Sequence, residues 1–224
     1  MFLNFKLENK GDRNKYPFFL LKNLDISTSI KTKISAKSKK QLDVFEAVFG
    51  GSFESKLEDT GWTVEGSCQT YSNFGQFTPT DRDKFMVCMT YPDEKSARIS
   101  REIDITEGVT SLPLSLDYNF LSEEYPGNGI SDWDTIELII RSANGNVTRL
   151  VVSSEDLIEA ELMFGDMLDL PEGKLAIGQT GWQTFSRYIP VSSGKGEIKI
   201  ILSSRGGGNK LHSALLVDNI RFAD

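Results

Sequence analysis

"LPLSLDYNF", residues 112–120, decides the fold class of this chain. Leu112, Leu114, Leu116, Tyr118 and Phe120 fall on one side of an extended backbone, and Pro113, Ser115, Asp117 and Asn119 on the other. A period of two marks a strand with one face on an apolar core. The same alternation recurs at 61–71, 84–91, 97–106, 134–141, 146–152, 181–191, 196–204 and 213–222, for about nine strands in all. Turn-forming stretches separate them: "TPTDRD" (78–83), "YPGNG" (125–129), "SANGN" (142–146), "SSGKG" (192–196) and "RGGGN" (205–209). The spacing predicts one helix, over 153–168, with Ser153 or Ser154 as cap, Glu155 and Asp156 in its first turn, and an apolar stripe of Leu157, Leu162 and Met163. Many short strands with turn-rich links and one short helix read as an antiparallel β-sandwich.

The remaining composition narrows the function classes. A net charge of −7 over 224 residues disfavours a protein that coats nucleic acid, which needs Lys and Arg to neutralise phosphates. No apolar run approaches the roughly 20 residues that span a bilayer. Charge is unevenly placed: residues 1–44 hold ten Lys or Arg against four acids, while acids dominate the rest. The chain therefore divides into a basic arm or linker, 1–44, and a sandwich domain, 45–224. "FLNF" and "YPFFLLKNLDI" leave apolar side chains in the arm, so docking on a neighbouring subunit is one expectation, beside a partly ordered tail and packing on its own domain. Asp12, Arg13 and Lys15 interrupt the apolar pieces and no small-residue cleavage site follows, so no export signal is recognised. The expected setting is a virion or another cytoplasmically made assembly. Cys68 and Cys88 lie on successive strands, where a bridge is geometrically possible; with no export signal, free core-facing thiols are the expectation.

Chemistry concentrates in "FLSEEYPGNGISDWDTIEL", 120–138. A glycosidase needs two carboxyls at a set separation across a sugar, and nothing in this stretch promises the apolar pocket that raises the pKa of one of them. Calcium prefers six to eight oxygens from carboxylates, amides and carbonyls. Glu123, Glu124, Asn128, Asp132 and Asp134 supply such donors around a Gly-rich turn, although not at EF-hand spacing. A solvated acidic loop is the plain alternative. Trp133, between two acids, is the candidate exposed aromatic platform for a glycan, with Tyr125 its helper; Trp62 and Trp182 each follow Gly at a strand start and are expected in the core. Asp218 shares strand parity with Leu216, Ile220 and Phe222, so its carboxylate points toward the core and must be paired, hydrogen-bonded or metal-bound. Backbone N–H groups and Arg98 are the candidate partners. His212 has no cysteine cluster for zinc, no Ser has a nucleophile elbow, and "RGGGN" lacks the Gly-Lys-Ser ending of a phosphate loop.

Three segments in order carry a resemblance. "TGWTVEGSCQTYSNFGQFTPTDRDKFMVCMT" (60–90), "SLDYNFLSEEYPGNGISDWDTIELII" (115–140) and the closing "TGWQTFSRYIPV…HSALLVDNIRF" resemble bacterial surface-anchored jelly-roll modules related to carbohydrate-binding domains. The likeness covers residues 60–222, and the basic arm has no counterpart in it. It implies a jelly-roll form of the sandwich, and that Asp218 helps hold a structural calcium. Fold likeness says little about ligand, because sandwiches host unrelated functions. The expectation is a non-catalytic structural or adhesive module displayed on a large assembly such as a virion surface and anchored through its arm. The alternative is a carbohydrate-binding or cell-surface adhesion module with structural calcium, and a glycan-active enzyme comes third.

Overall fold

The computed structural model describes residues 51–128, 132–163, 174–205 and 213–222; the arm 1–44 and His212 lie outside them. A short helix, α1 (Leu57–Thr60), ends at Gly61, whose φ of +74° suits a residue without a Cβ. The strands follow as β1 (Thr63–Glu65), β2 (Ser67–Tyr71), β3 (Phe85–Thr90), β4 (Ser96–Ile105), β5 (Ser111–Ser122), β6 (Thr135–Arg141) and β7 (Val147–Ser153). The second half supplies β8 (Ile158–Met163), β9 (Lys174–Gln179), β10 (Gln183–Pro190), β11 (Gly194–Ser203) and β12 (Ser213–Arg221).

The strands form two antiparallel sheets. One has the order β1-β4-β11-β6-β7; the other runs β2-β3-β12-β5-β9-β8, with β10 also paired to β5. Four antiparallel pairs, β3 with β12, β4 with β11, β5 with β10 and β6 with β7, form a ribbon whose successive pairs fall in alternate sheets. A ribbon wrapped this way is a jelly roll, as the resemblance implied.

The decisive stretch behaves as its alternation requires. Leu114, Leu116 and Phe120 of β5 are buried between the sheets with Ile99, Ile136, Leu138, Ile198, Leu215 and Val217, and Leu112 and Tyr118 pack at the margin. Trp62 joins this core against Phe53, whereas Trp182 is only half-buried and meets the Phe85 ring edge-on at 5.8 Å. The opposite face of the second sheet departs from simple alternation. All six residues of β3 are buried, because Phe85, Val87 and Met89 sit under a second apolar cluster with Phe74, Phe77, Leu121, Ile177 and Leu216. The segment carrying Phe74 and Phe77 crosses this face, and Thr80 reaches both Asp117 on β5 and Asp218 on β12.

Two local expectations are overturned. The helix expected over 153–168 does not form across its described part. Ser153 does cap, accepting from Glu155 N, but only a single 3-10 turn, Ser154–Asp156, follows. From Ile158 the chain is strand β8, paired with β9. "IEAEL" alternates apolar and acidic residues, a strand period that the helical stripe concealed. The cysteines, expected free, are bridged: Cys68 and Cys88 stand directly opposite on β2 and β3, and the two sulfurs are bonded.

Candidate functional site at the loop end

The second sheet carries Glu124 just past β5, where the backbone leaves the ladder. Glu124 N donates to Ser122 Oγ at 2.9 Å, which turns the chain inward and leaves the Glu124 carboxyl with no solvent exposure. Asp134, at the mouth of β6, is equally buried. Ser154 fixes its backbone from both sides: Asp134 N donates to Ser154 Oγ at 3.0 Å, and Ser154 N donates to Asp134 O at 2.9 Å. The Asp134 carboxylate accepts from Arg205 N on Oδ1 at 2.8 Å and from Ser213 Oγ on Oδ2 at 2.5 Å. Connections from four parts of the chain thus meet at one end of the sandwich.

Glu124 is different. Among the described residues neither of its oxygens receives a hydrogen bond from a donor, although both are buried. What lies within hydrogen-bonding reach is the Asp134 carboxyl, and the Glu124 pKa is pushed up to about 8. Burial is the main cause, followed by the contact with Asp134, the Asp134 charge and the Asp132 charge, with Lys95 opposing weakly. Two carboxyls in contact need something positive between them, and that is either a proton or a cation.

The residues expected to form one calcium set separate. Glu124 and Asp134 meet; Asp132 is exposed nearby, Glu123 is half-buried, and the Asn128 side chain lies outside the described residues. Asp218 is not part of the group. It lies five residues along β12 from Ser213, about 17 Å at strand rise. Among the described residues no three Asp, Glu, His or Cys side chains converge as a metal group. Asp218 is also fully employed: Oδ2 accepts from Thr80 N at 2.7 Å, Thr80 Oγ1 at 3.0 Å and Asp81 N at 3.0 Å, and Oδ1 from Asn219 N at 2.7 Å. Burial pushes its pKa up against these hydrogen bonds, which pull it down. Its partners are thus backbone N–H groups and a hydroxyl, while Arg98 pairs with Glu65 instead. The calcium implied for Asp218 by resemblance meets a carboxylate whose two oxygens are already engaged.

Tyr125 is likewise not an exposed helper. It is 5% exposed, wedged between two glycines: a Cβ on Gly178 would lie 2.4 Å from Tyr125 Cβ, and one on Gly127 2.5 Å from its ring. Burial raises its phenol pKa, as do the charge and hydrogen bond of Glu159. Trp133 is half-buried at the rim, one residue from the doubly pinned Asp134. Sequence reasoning missed Ser154, Ser213, Arg205, Thr80 and Asp117. Only Thr80 left a trace, in the "TPTDRD" turn, where two adjacent N–H groups suit a carboxylate. Between the sheets a gap of about 20 Å³, lined by Leu116, Ile136, Leu138, Leu215 and Val217 among others, has room for no more than about one water.

No protein-family model matches the chain, and no curated protein matches it. Among solved structures it is similar to a family 61 carbohydrate-binding module in complex with β-1,4-galactotriose, at 14% identity and a TM-score of 0.43, covering 79% of this chain and 96% of that one. A carbohydrate-binding module specific for non-crystalline cellulose is similar at 12% identity and a TM-score of 0.43, covering 79% and 94%. So is a carbohydrate esterase from a Shiga toxin-encoding bacteriophage, phi24B, at 10% identity and a TM-score of 0.43, covering 78% and 94%.

Proposed function

We propose that this chain is a non-catalytic adhesive module that takes a glycan at the loop end bearing Trp133, and that the basic arm anchors it to a larger assembly such as a virion surface. The observation that carries the reading is the inward turn of Glu124 and Asp134. A glycosidase pair faces a sugar from a separation of about 5–9.5 Å. Here the two carboxyls are in contact with each other, without solvent exposure, so neither a sugar nor an attacking water fits between them. Beside this buried pair the chain carries a half-buried Trp133, next in sequence to Asp134, whose backbone Ser154 fixes, and an exposed Asp132 before it. An indole with a neighbouring polar group suits the apolar face and hydroxyls of a sugar.

A broad glycan array probed with the full chain tests the binding part. Trp133→Ala is expected to weaken any captured glycan at least about 10-fold, the loss of roughly 1.4 kcal/mol, with melting unchanged within a few degrees. An array without a hit, or equal binding by the variant, sinks the glycan reading. The anchoring part is tested separately by deleting residues 1–44, which is expected to abolish co-assembly or change oligomeric state; an unchanged assembly overturns it.

A further inference from the structure

We infer that the loop end binds one calcium ion, held by the carboxylates of Glu124 and Asp134. The argument begins with the Glu124 oxygens. A buried carboxylate without a donor is among the most costly arrangements a fold can contain, and native proteins leave such groups only where something else satisfies them. Among the described residues Glu124 has no donor on either oxygen, and it has no exposure to water. It points at a second buried carboxylate whose own two bonds, from Arg205 N and Ser213 Oγ, each leave a lone pair on the oxygen concerned. Two carboxyls are thus brought together with acceptor capacity to spare, and without a cation one of them has to hold a proton. A divalent cation between them cancels both charges and occupies that capacity.

The donor chemistry selects calcium. The ligands named here, the carboxylates of Glu124 and Asp134, are hard oxygen donors, and among the described residues no Cys or His joins them as a metal group, which disfavours zinc. The two carboxylates arrive from different connections, one fixed by Ser122 and the other by Ser154, Arg205 and Ser213. Calcium tolerates such irregular surroundings and completes six to eight positions with hydroxyls, carbonyls and water, whereas magnesium demands near-octahedral geometry. The Asp218 end differs in that its carboxylate already accepts four hydrogen bonds and faces no second acid within hydrogen-bonding reach among the groups that shift it. This inference is independent of the glycan reading, since calcium is assayed with no sugar present.

The test uses the full chain, stripped with EGTA and titrated calorimetrically with calcium chloride and, in parallel, magnesium chloride. One calcium per chain and a melting point raised by several degrees over the EGTA sample are expected, because a ligand bound only by the native state stabilises it. Glu124→Gln is expected to melt in EGTA at or above the parent protein and to lose the calcium shift. Asp218→Asn is expected to keep it. Coincident parent melting curves in calcium and EGTA overturn the inference, as does an equal response to magnesium or a full calcium response in Glu124→Gln. If that variant does not fold, Glu124→Asp takes its place: calcium affinity at least about 10-fold weaker supports the site, and unchanged affinity overturns it.

Discussion

Asp218 and Glu124 are both carboxylates of the second sheet, both without solvent exposure, and they differ in almost everything else. Asp218 collects four hydrogen bonds, three from backbone N–H groups, and stitches the crossing segment at Thr80 onto β12. Glu124 collects none and faces another acid. Burial alone therefore does not distinguish a structural carboxylate from a ligand-seeking one. The count of donors does, and it separates a carboxylate held by four donors from one that meets a second acid with Lys95 only weakly opposing the charge.

The sharpest way to break this contrast is Asp218→Ala. It leaves three backbone N–H groups without an acceptor, at about 1–3 kcal/mol each where water cannot replace it, for an expected loss of about 3–5 kcal/mol in chemical denaturation. A loss under about 1 kcal/mol removes the contrast. Next in size is reduction of the Cys68–Cys88 bridge. Its sequence separation of 20 gives about 3 kcal/mol of unfolded-state constraint, so dithiothreitol should lower the melting point by roughly 6–12 °C. Because β2 carries neither carboxylate, the difference between Asp218 and Glu124 variants should survive reduction; if it disappears, the two ends are not energetically separate. The smallest effect belongs to Glu124→Gln in calcium-free solution. Replacing a carboxyl that must take up a proton beside Asp134 by a neutral amide is expected to leave stability unchanged or raise it by about 1 kcal/mol, and a drop of more than about 2 kcal/mol places Glu124 in the same class as Asp218.

The architecture was legible where alternation is strict. "LPLSLDYNF" gave its core face correctly because strand periodicity and one-sided burial coincide there. Strand β8 was misread because "SSEDLIEAEL" opens with good helix-start residues, and only pairing with β9, distant information for a local pattern, selects the extended state. The cysteines were legible as neighbours on successive strands but not as a bond, since register, which places Cys68 against Cys88, is a tertiary property. In the candidate site, Glu124 and Asp134 were named from the sequence, whereas their partners Ser154, Ser213 and Arg205 come from positions 20 to 79 residues away from Asp134. The Pro-Gly-Asn-Gly turn that follows Tyr125 points to a surface position; Gly178, on another strand, is what admits its ring to the interior.

The two bonds that Asp134 receives have a consequence for the connection between β11 and β12. Arg205 and Ser213 are the residues that flank positions 206–212, so one carboxylate holds both feet of that connection. With both feet tied to one carboxylate, the ends of the connection are held at a fixed span, and for any flexible connection each doubling of length costs about 0.6 kcal/mol in closure entropy. Loss of the Asp134 carboxylate would therefore release both feet at once, the end of the chain leaving β11 and the start of β12.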